Sequence, residues 1–324
     1  EYAALLRRRK AITERKEAPM PKVTLKAFAK INLTLDVLGE MAGGYHSLET
    51  IFRGIHLYDL VTMEKKDRGI HLECDKEELP LGPENLAWQA AELLQKDFPV
   101  IGGINIKIVK RIPVAAGLAG GSTDAAAVLL GLDRLFHLQL GRQKLSEYAE
   151  RLGSDVPFCL YPLAALGRSR GELLEELPEG SEMWLVLVKP PFGLSTGEIF
   201  DHLSQVEISR RPDLSGALKA LEEGSFGELC AAMGNVLEAS AFDLQPKLAE
   251  WKRDLAGPVG TGPVVMAGSG PTLVAFFDSE EKARQLAAQW GQPRWDVLLS
   301  KTLTRQELEK RFILTEETEG ERGE

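Results

Sequence analysis

Residues 111–132 read RIPVAAGLAGGSTDAAAVLLGL. The stretch leads from the end of a strand-like run, through Gly117, Gly120 and Gly121, into an alanine- and leucine-rich run at helical spacing. Strand, glycine-rich turn and helix together make the geometry in which backbone N–H groups and the positive end of a helix dipole converge on an anion. The segment has neither the G-K-[ST] ending of a P-loop nor the G-x-G-x-x-G spacing of a dinucleotide fold. Ser122 and Thr123 offer hydroxyls at the start of the helix. Read without any context, Ser122 serves equally well as a helix cap and the glycines as a tight turn.

Working outward, apolar and polar residues alternate in KVTLKAFAKINLTLDVLG and in GINIKIVKRI, which predicts half-buried strands. Helical spacing predicts helices in NLAWQAAELLQKDF, with Asn85 as its cap, in STDAAAVLLGLDRLF and in RQKLSEYAERLG. MWLVLVK reads as a buried strand ended by Pro190 and Pro191. Beyond these prolines, FGELCAAMGNVLEASAF, PVVMAGSGPTLVAFF and SEEKARQLAAQW carry strand and helix signals of their own. Strands and helices mix without strict alternation, which favours an α+β arrangement over a doubly wound sheet.

The chain of 324 residues has room for two domains. The expected division is an extension over 1–19, a first domain over 20–170, a second over 171–313 and an acidic tail over 314–324. The charged segment LGRSRGELLEELPEG marks the boundary between the two domains. Met20 is a candidate initiator, and the run Arg7, Arg8, Arg9, Lys10 reads as a solvated helix face. A net charge of -9 argues against a general nucleic-acid binder. No apolar run reaches the roughly 20 residues that span a bilayer, and no secretory leader is visible. Cys74, Cys159 and Cys230 are dispersed, which fits a reducing, cytoplasmic setting better than a disulfide or zinc framework.

PVAAGLAGGSTDAA resembles the phosphate-binding motif of the GHMP kinases, and two more motifs of that family stand in the right order: AFAKINLTLDVLGEMAGGYHSLETIF near the front and MAGSGPTLVAFF in the second half. With LGSDVPFCL, the likeness runs from about residue 23 to residue 303. It points most closely to the branch whose acceptor is CDP-methylerythritol. Ala119 stands where a glycine is usual, and Thr123 and Ala267 where serines are usual.

The resemblance implies a two-domain GHMP kinase fold, with an N-terminal domain like domain 2 of ribosomal protein S5 and a ferredoxin-like C-terminal domain. It implies ATP and Mg²⁺ as cofactors, a small-molecule substrate, no nucleic acid or membrane partner, and a monomer or weak homodimer. Asp155 would accept the hydroxyl proton and Lys30 would hold it ionised. The nucleotide would lie against Pro113, Ala115, Ala116, Gly117, Leu118, Ala119, Gly120, Gly121, Ser122 and Thr123, with Asn85, Leu86 and Lys110 on the adenine side. Tyr45 and Phe200 would stack on the cytosine and His46 read its edge, while Asn32 and Thr196 meet the diphosphate or sugar-alcohol part. Ser122 and Thr123 are candidate metal contacts, and Asp124 reads as a first-turn acid favoured by the dipole.

Taken without the resemblance, Asp155 is a turn or cap residue, Tyr45 and Phe200 are core aromatics, His46 is a loop residue and AGSGPT is a hairpin turn. Homoserine or mevalonate kinase is the rival within the family, and a nucleotide-binding protein without catalysis is the rival outside it. GGYHSLETIF speaks against the first, and the retained Lys30 and Asp155 against the second.

Overall fold

The computed structural model describes residues 21–41, 43–257, 262–290 and 295–313. The basic run, Met20 and the acidic tail lie outside the described residues. In chain order the elements are β1 (Lys22–Glu40), β2 (His46–Lys66), β3 (Gly69–Cys74), α1 (Leu86–Asp97), β4 (Gly103–Val109), α2 (Gly120–Leu135), α3 (Arg142–Glu150), α4 (Val156–Leu160), β5 (Ala164–Ser169) and β6 (Leu173–Glu176). There follow β7 (Trp184–Lys189), α5 (Thr196–His202), α6 (Leu214–Glu223), α7 (Phe226–Ala232), β8 (Gly234–Asn235), α8 (Glu238–Leu244), α9 (Pro246–Ala256), β9 (Val264–Met266), β10 (Leu273–Phe277), α10 (Glu280–Gln289), β11 (Asp296–Lys301), α11 (Arg305–Glu309) and β12 (Phe312–Ile313).

Two sheets organise the chain. The first runs β12-β1-β2-β4-β3, with β5 on the early half of β2, β6 on β5, and β8 parallel to β1. The second, β11-β7-β10-β9, is antiparallel throughout. Numbered by their order within that unit, its strands lie 4-1-3-2, the ferredoxin-like arrangement the resemblance implies. The charged segment after β5 folds as the β5–β6 hairpin of the first sheet, and the sheet also takes in β8 and β12 from much later in the chain.

The two strands legible in the early sequence are present, but β1 is not half-buried. Its middle, Ala27–Leu35, is buried on both faces. Leu25 and Ala27 join the core under α1, α2 and α3. Ala29, Ile31 and Leu33 pack with Leu185, Leu187 and Val274 of the second sheet. The second sheet thus covers the apolar residues of this stretch, and the face that alternation alone assigns to solvent is closed as well: Lys30, Asn32 and Thr34 are buried polar residues, with Asp155 and residues of β1 and β2 as their partners. Phe28, expected beside Lys30 and Asn32, instead packs with Leu163 and Leu303, because the register against β2 shifts between Phe28 and Lys30.

That shift centres on Gly54. Its N–H donates to the Leu163 carbonyl and its carbonyl accepts from Leu303 N–H, both at 2.9 Å, so one residue ties β2 to segments from both halves of the chain. A Cβ added there would lie 1.7 Å from the Pro162 carbonyl oxygen, backbone that cannot swing aside. Gly54→Ala should therefore cost about 3 kcal/mol. For a domain of this size that lowers the melting temperature by roughly 5–10 °C; an unchanged thermal transition would show that the junction yields.

Candidate active site

β1 carries Lys30 into a cleft of about 770 Å³ between the two sheets. The ammonium is 3.4 Å from Asp155 Oδ2, donates to Asn32 Oδ1 at 3.2 Å, and lies 5.0 Å from the centre of the Phe52 ring. The Asn32 amide in turn donates to Thr50 Oγ1 at 2.7 Å, and the Thr50 hydroxyl to the Thr34 carbonyl at 2.6 Å. Lys30 is thus held in one position by a chain of buried hydrogen bonds, while Asn32 keeps one amide hydrogen and a lone pair for a ligand.

Asp155 occupies the cap position of the five-residue helix α4, yet its side chain makes no capping bond. The carboxylate turns to Lys30 instead and remains 36% exposed, so it can reach both the lysine and a ligand. The position is a cap, but the side chain does not serve as one.

The glycine loop lines the same cleft from Pro113 to Ser122. Helix α2 starts at Gly120, two residues before the predicted start, because Ala119 takes a left-handed backbone with φ +58° and turns the chain into the helix. No side chain caps it, so Ser122 is not the cap. The N–H groups of the first turn are left for an anion. Ala115 is also left-handed, at φ +50°, as is Gly117 at φ +75°. Gly117 has a second reason to be glycine: a Cβ there would sit 2.0 Å from the Ala267 carbonyl oxygen. The AGSGPT segment is therefore pressed against the glycine loop. It links two antiparallel strands, β9 and β10, and Gly268, Ser269 and Gly270 line the cleft.

Thr123 is a correction. Expected at the phosphates, it is 1% exposed, its hydroxyl donates to the Phe28 carbonyl at 2.6 Å, and its N–H to the Ala119 carbonyl at 2.9 Å. It anchors α2 to β1 and has no donor left for a ligand or oxygen positioned for a metal.

Asn85 caps α1 as expected, accepting from Ala87 N–H at 2.9 Å, and it lines the cleft with Leu86 and Pro113. Lys110 lines it too, but its ammonium is engaged below the surface by Asp59 Oδ2 at 2.5 Å and Asp124 Oδ2 at 2.7 Å. Asp59 Oδ1 accepts from the backbone N–H groups of Arg111 and Ile112. The three groups fasten β2, the start of the glycine loop and the second turn of α2 to one another. Because α2 starts at Gly120, Asp124 lies past the first turn, which corrects its reading as a first-turn acid.

Tyr45, His46, Thr196 and Phe200 line the cleft on its other side. Tyr45 is 54% exposed, so it is not a core aromatic. The His46 and Phe200 rings lie 5.1 Å apart at 30°, and the Thr196 hydroxyl is 2.8 Å from that of Ser269. The sequence reading missed Arg170, whose guanidinium lies 4.7 Å from the Tyr45 ring centre within the cleft. Nothing in its charged surroundings distinguishes it; only the β5–β6 hairpin brings it there.

A nucleotide-sized cleft, an uncapped helix start and a lysine–carboxylate pair between an S5-like and a ferredoxin-like unit define a GHMP-type kinase. The pattern described as "GHMP kinases N terminal domain" matches residues 85–162 and "GHMP kinases C terminal" residues 217–293. The 4-diphosphocytidyl-2-C-methyl-D-erythritol kinase of Moorella thermoacetica is 43% identical over 289 residues, covering 88% of this chain and 100% of that protein. That of Acetivibrio thermocellus is 40% identical over 286 residues, again 88% and 100%. A crystal structure of a 4-(cytidine 5'-diphospho)-2C-methyl-D-erythritol kinase superposes with a TM-score of 0.72 at 32% identity, over 87% of this chain and 99% of that one. The chain belongs to the 4-diphosphocytidyl-2-C-methyl-D-erythritol kinase family of GHMP kinases.

Burial holds the Asp124 carboxyl well above its ordinary 3.8, at about 8; Lys110 opposes this and Asp59 adds to it. Lys110 itself is raised: burial works to lower it, but Asp124 and Asp59 outweigh burial. Asp124 Oδ1 has no hydrogen-bond partner, which suits a neutral acid better than a carboxylate. An acid raised on folding keeps its proton longer in the folded state than in the unfolded one. Between the two values the folded chain binds more protons, so stability falls as pH rises through that window. Asp124→Asn removes this contribution. Its thermal stability relative to the parent protein should climb from pH 5 to pH 8 and level off above, whereas a difference that does not vary with pH would show that Asp124 is ionised throughout.

Proposed function

We propose that the chain transfers the γ-phosphoryl group of ATP to the 2-hydroxyl of 4-diphosphocytidyl-2-C-methyl-D-erythritol, a step of the non-mevalonate isoprenoid route. The observation that carries this reading is the Lys30–Asp155 pair beside a glycine loop with no cation of its own. Phosphoryl transfer to an alcohol needs the two reactants in line, charge on the transferring group neutralised, and the hydroxyl proton accepted.

Asp155 accepts that proton. Lys30 pairs with that carboxylate and orients the incoming hydroxyl, while the Phe52 ring and Asn32 hold the ammonium in place. The glycine loop binds the nucleotide phosphates through the free N–H groups of the first turn of α2. The adenine lies toward Asn85, Leu86 and Pro113, with Lys110 fixing the walls of that side rather than contacting the base through its ammonium. Tyr45 and Phe200 offer stacking surfaces for cytosine, His46 an edge donor or acceptor, and Asn32 and Thr196 polar groups toward the diphosphate and sugar alcohol. Arg170, cationic and beside Tyr45, suits the same end of the substrate.

Mg²⁺ belongs to this proposal. Among the described residues no three His, Cys, Asp or Glu side chains form a metal cluster. A nucleotide-associated Mg²⁺ would need only one or two protein oxygens, and the cleft-lining Ser122 hydroxyl would supply one. When bound, the ion supplies charge neutralisation at the phosphate oxygens. The proposal extends to a monomer or weak homodimer, and the dispersed free cysteines support a cytoplasmic setting.

Purified protein given labelled ATP, Mg²⁺ and CDP-methylerythritol should yield labelled product, with homoserine and mevalonate inert in its place. No transfer to CDP-methylerythritol would refute the reading. Asp155→Asn should lower kcat by about 10³-fold while ATP still binds with near-parent affinity; near-normal turnover would remove Asp155 from the chemistry.

A further inference from the structure

Arg311 follows every residue the site uses and lies beyond the stretch matched by the C-terminal family pattern. It is 5% exposed. Among the described residues its guanidinium makes no ion pair. Nη1 donates to the Leu160 carbonyl at 2.5 Å and Nη2 to the Cys159 carbonyl at 3.4 Å, while Nε has no partner. These carbonyls close α4, the helix that Asp155 opens. The backbone of Arg311 is itself tied down, its carbonyl accepting from Lys26 N–H at 2.8 Å and its N–H donating to the Leu308 carbonyl at 3.0 Å.

A buried cation with no carboxylate partner is costly, and an apolar side chain would fill the space without that cost. What an apolar side chain cannot do is bind the carbonyl end of a helix, where the dipole presents negative charge. Helix α4 needs such a hold, because five residues are too few to sustain a helix alone. Both of its ends then refer to one strand: β1 holds Arg311 at Lys26 and meets Asp155 at Lys30.

We propose that Arg311 is a positioning residue for phosphoryl transfer, fixing the carbonyl end of α4 so that Asp155 at the opposite end stays in register with Lys30; the proposal rests on the functional reading above. Displacing a reacting group by about 1 Å costs on the order of 10²-fold in rate. Arg311→Gln in the full-length protein should therefore lower kcat about 30-fold or more, with the KM for ATP within about twofold of the parent. Arg311→Lys, which can still reach one carbonyl, should recover most of the loss. In an Asp155→Asn background, Arg311→Gln should change kcat less than about twofold, because residues that act as a unit are not additive.

Hydrogen exchange at residues 155–161 needs no substrate, and it should quicken in Arg311→Gln at α4 while α2 stays protected. Unchanged exchange there would overturn the proposal even if the parent protein proved inactive on CDP-methylerythritol, an outcome that refutes the functional reading separately. An equal loss with and without Asp155, a parallel loss of ATP affinity, or kcat within threefold of the parent would overturn it too. So would failure of both Arg311 variants to fold, which would make the residue part of the general core.

Discussion

An ammonium and a carboxylate 3.4 Å apart, Lys30 and Asp155, set the terms for the rest of the structure. A lysine buried in the middle of a strand is costly unless its charge is met, and here three neighbours meet it: Asp155, the Asn32 amide oxygen and the face of Phe52. The register shifts in β1 on either side of Lys30 and Asn32 are the backbone's accommodation to that arrangement. A regular strand would continue its pairing past this point. This one carries a polar group into the cleft and keeps its apolar neighbours Ala29, Ile31 and Leu33 in the core shared with the second sheet.

The glycine loop raises the question of how a phosphate site works without the lysine of a P-loop. A lysine is close by, but it serves another purpose. Lys110 lies beneath the loop and draws Asp59 and Asp124 together, and Asp59 takes two backbone N–H groups of the segment leading into the loop. The cation stiffens the frame, and the uncapped first turn of α2 lines the cleft. Two left-handed alanines, Ala115 and Ala119, are strained conformations for residues with a Cβ. They are held there because Gly117 is clamped against Ala267 and Thr123 against Phe28.

Much of this was legible beforehand. The predicted helices at Asn85–Phe98 and Arg142–Gly153 formed because local signals, a cap and an amphipathic spacing, agree with the final packing. The two long strands also formed where alternation placed them. Less legible was anything that depended on a second layer. Alternation in β1 suggested a solvent face, yet Lys30, Asn32 and Thr34 on that face are buried against Asp155 and β2. Ser122 and Thr123 look alike in sequence, yet one lines the cleft and the other is sealed against Phe28. Arg170 and Arg311 are two among many charged residues until the β5–β6 hairpin brings the one to the cleft and the turn before β12 brings the other to the carbonyl end of α4.

By itself the sequence determined the family and the glycine-rich turn that leads into α2, because motif spacing and local backbone preference are properties of short stretches. Only the tertiary structure decided that Ser122 rather than Thr123 lines the cleft, that the Lys110 ammonium is taken by Asp59 and Asp124, and that Arg311 binds the carbonyl end of α4. Those outcomes depend on burial and on hydrogen bonds between segments far apart in the chain, and such energies exist only once the layers have closed on one another.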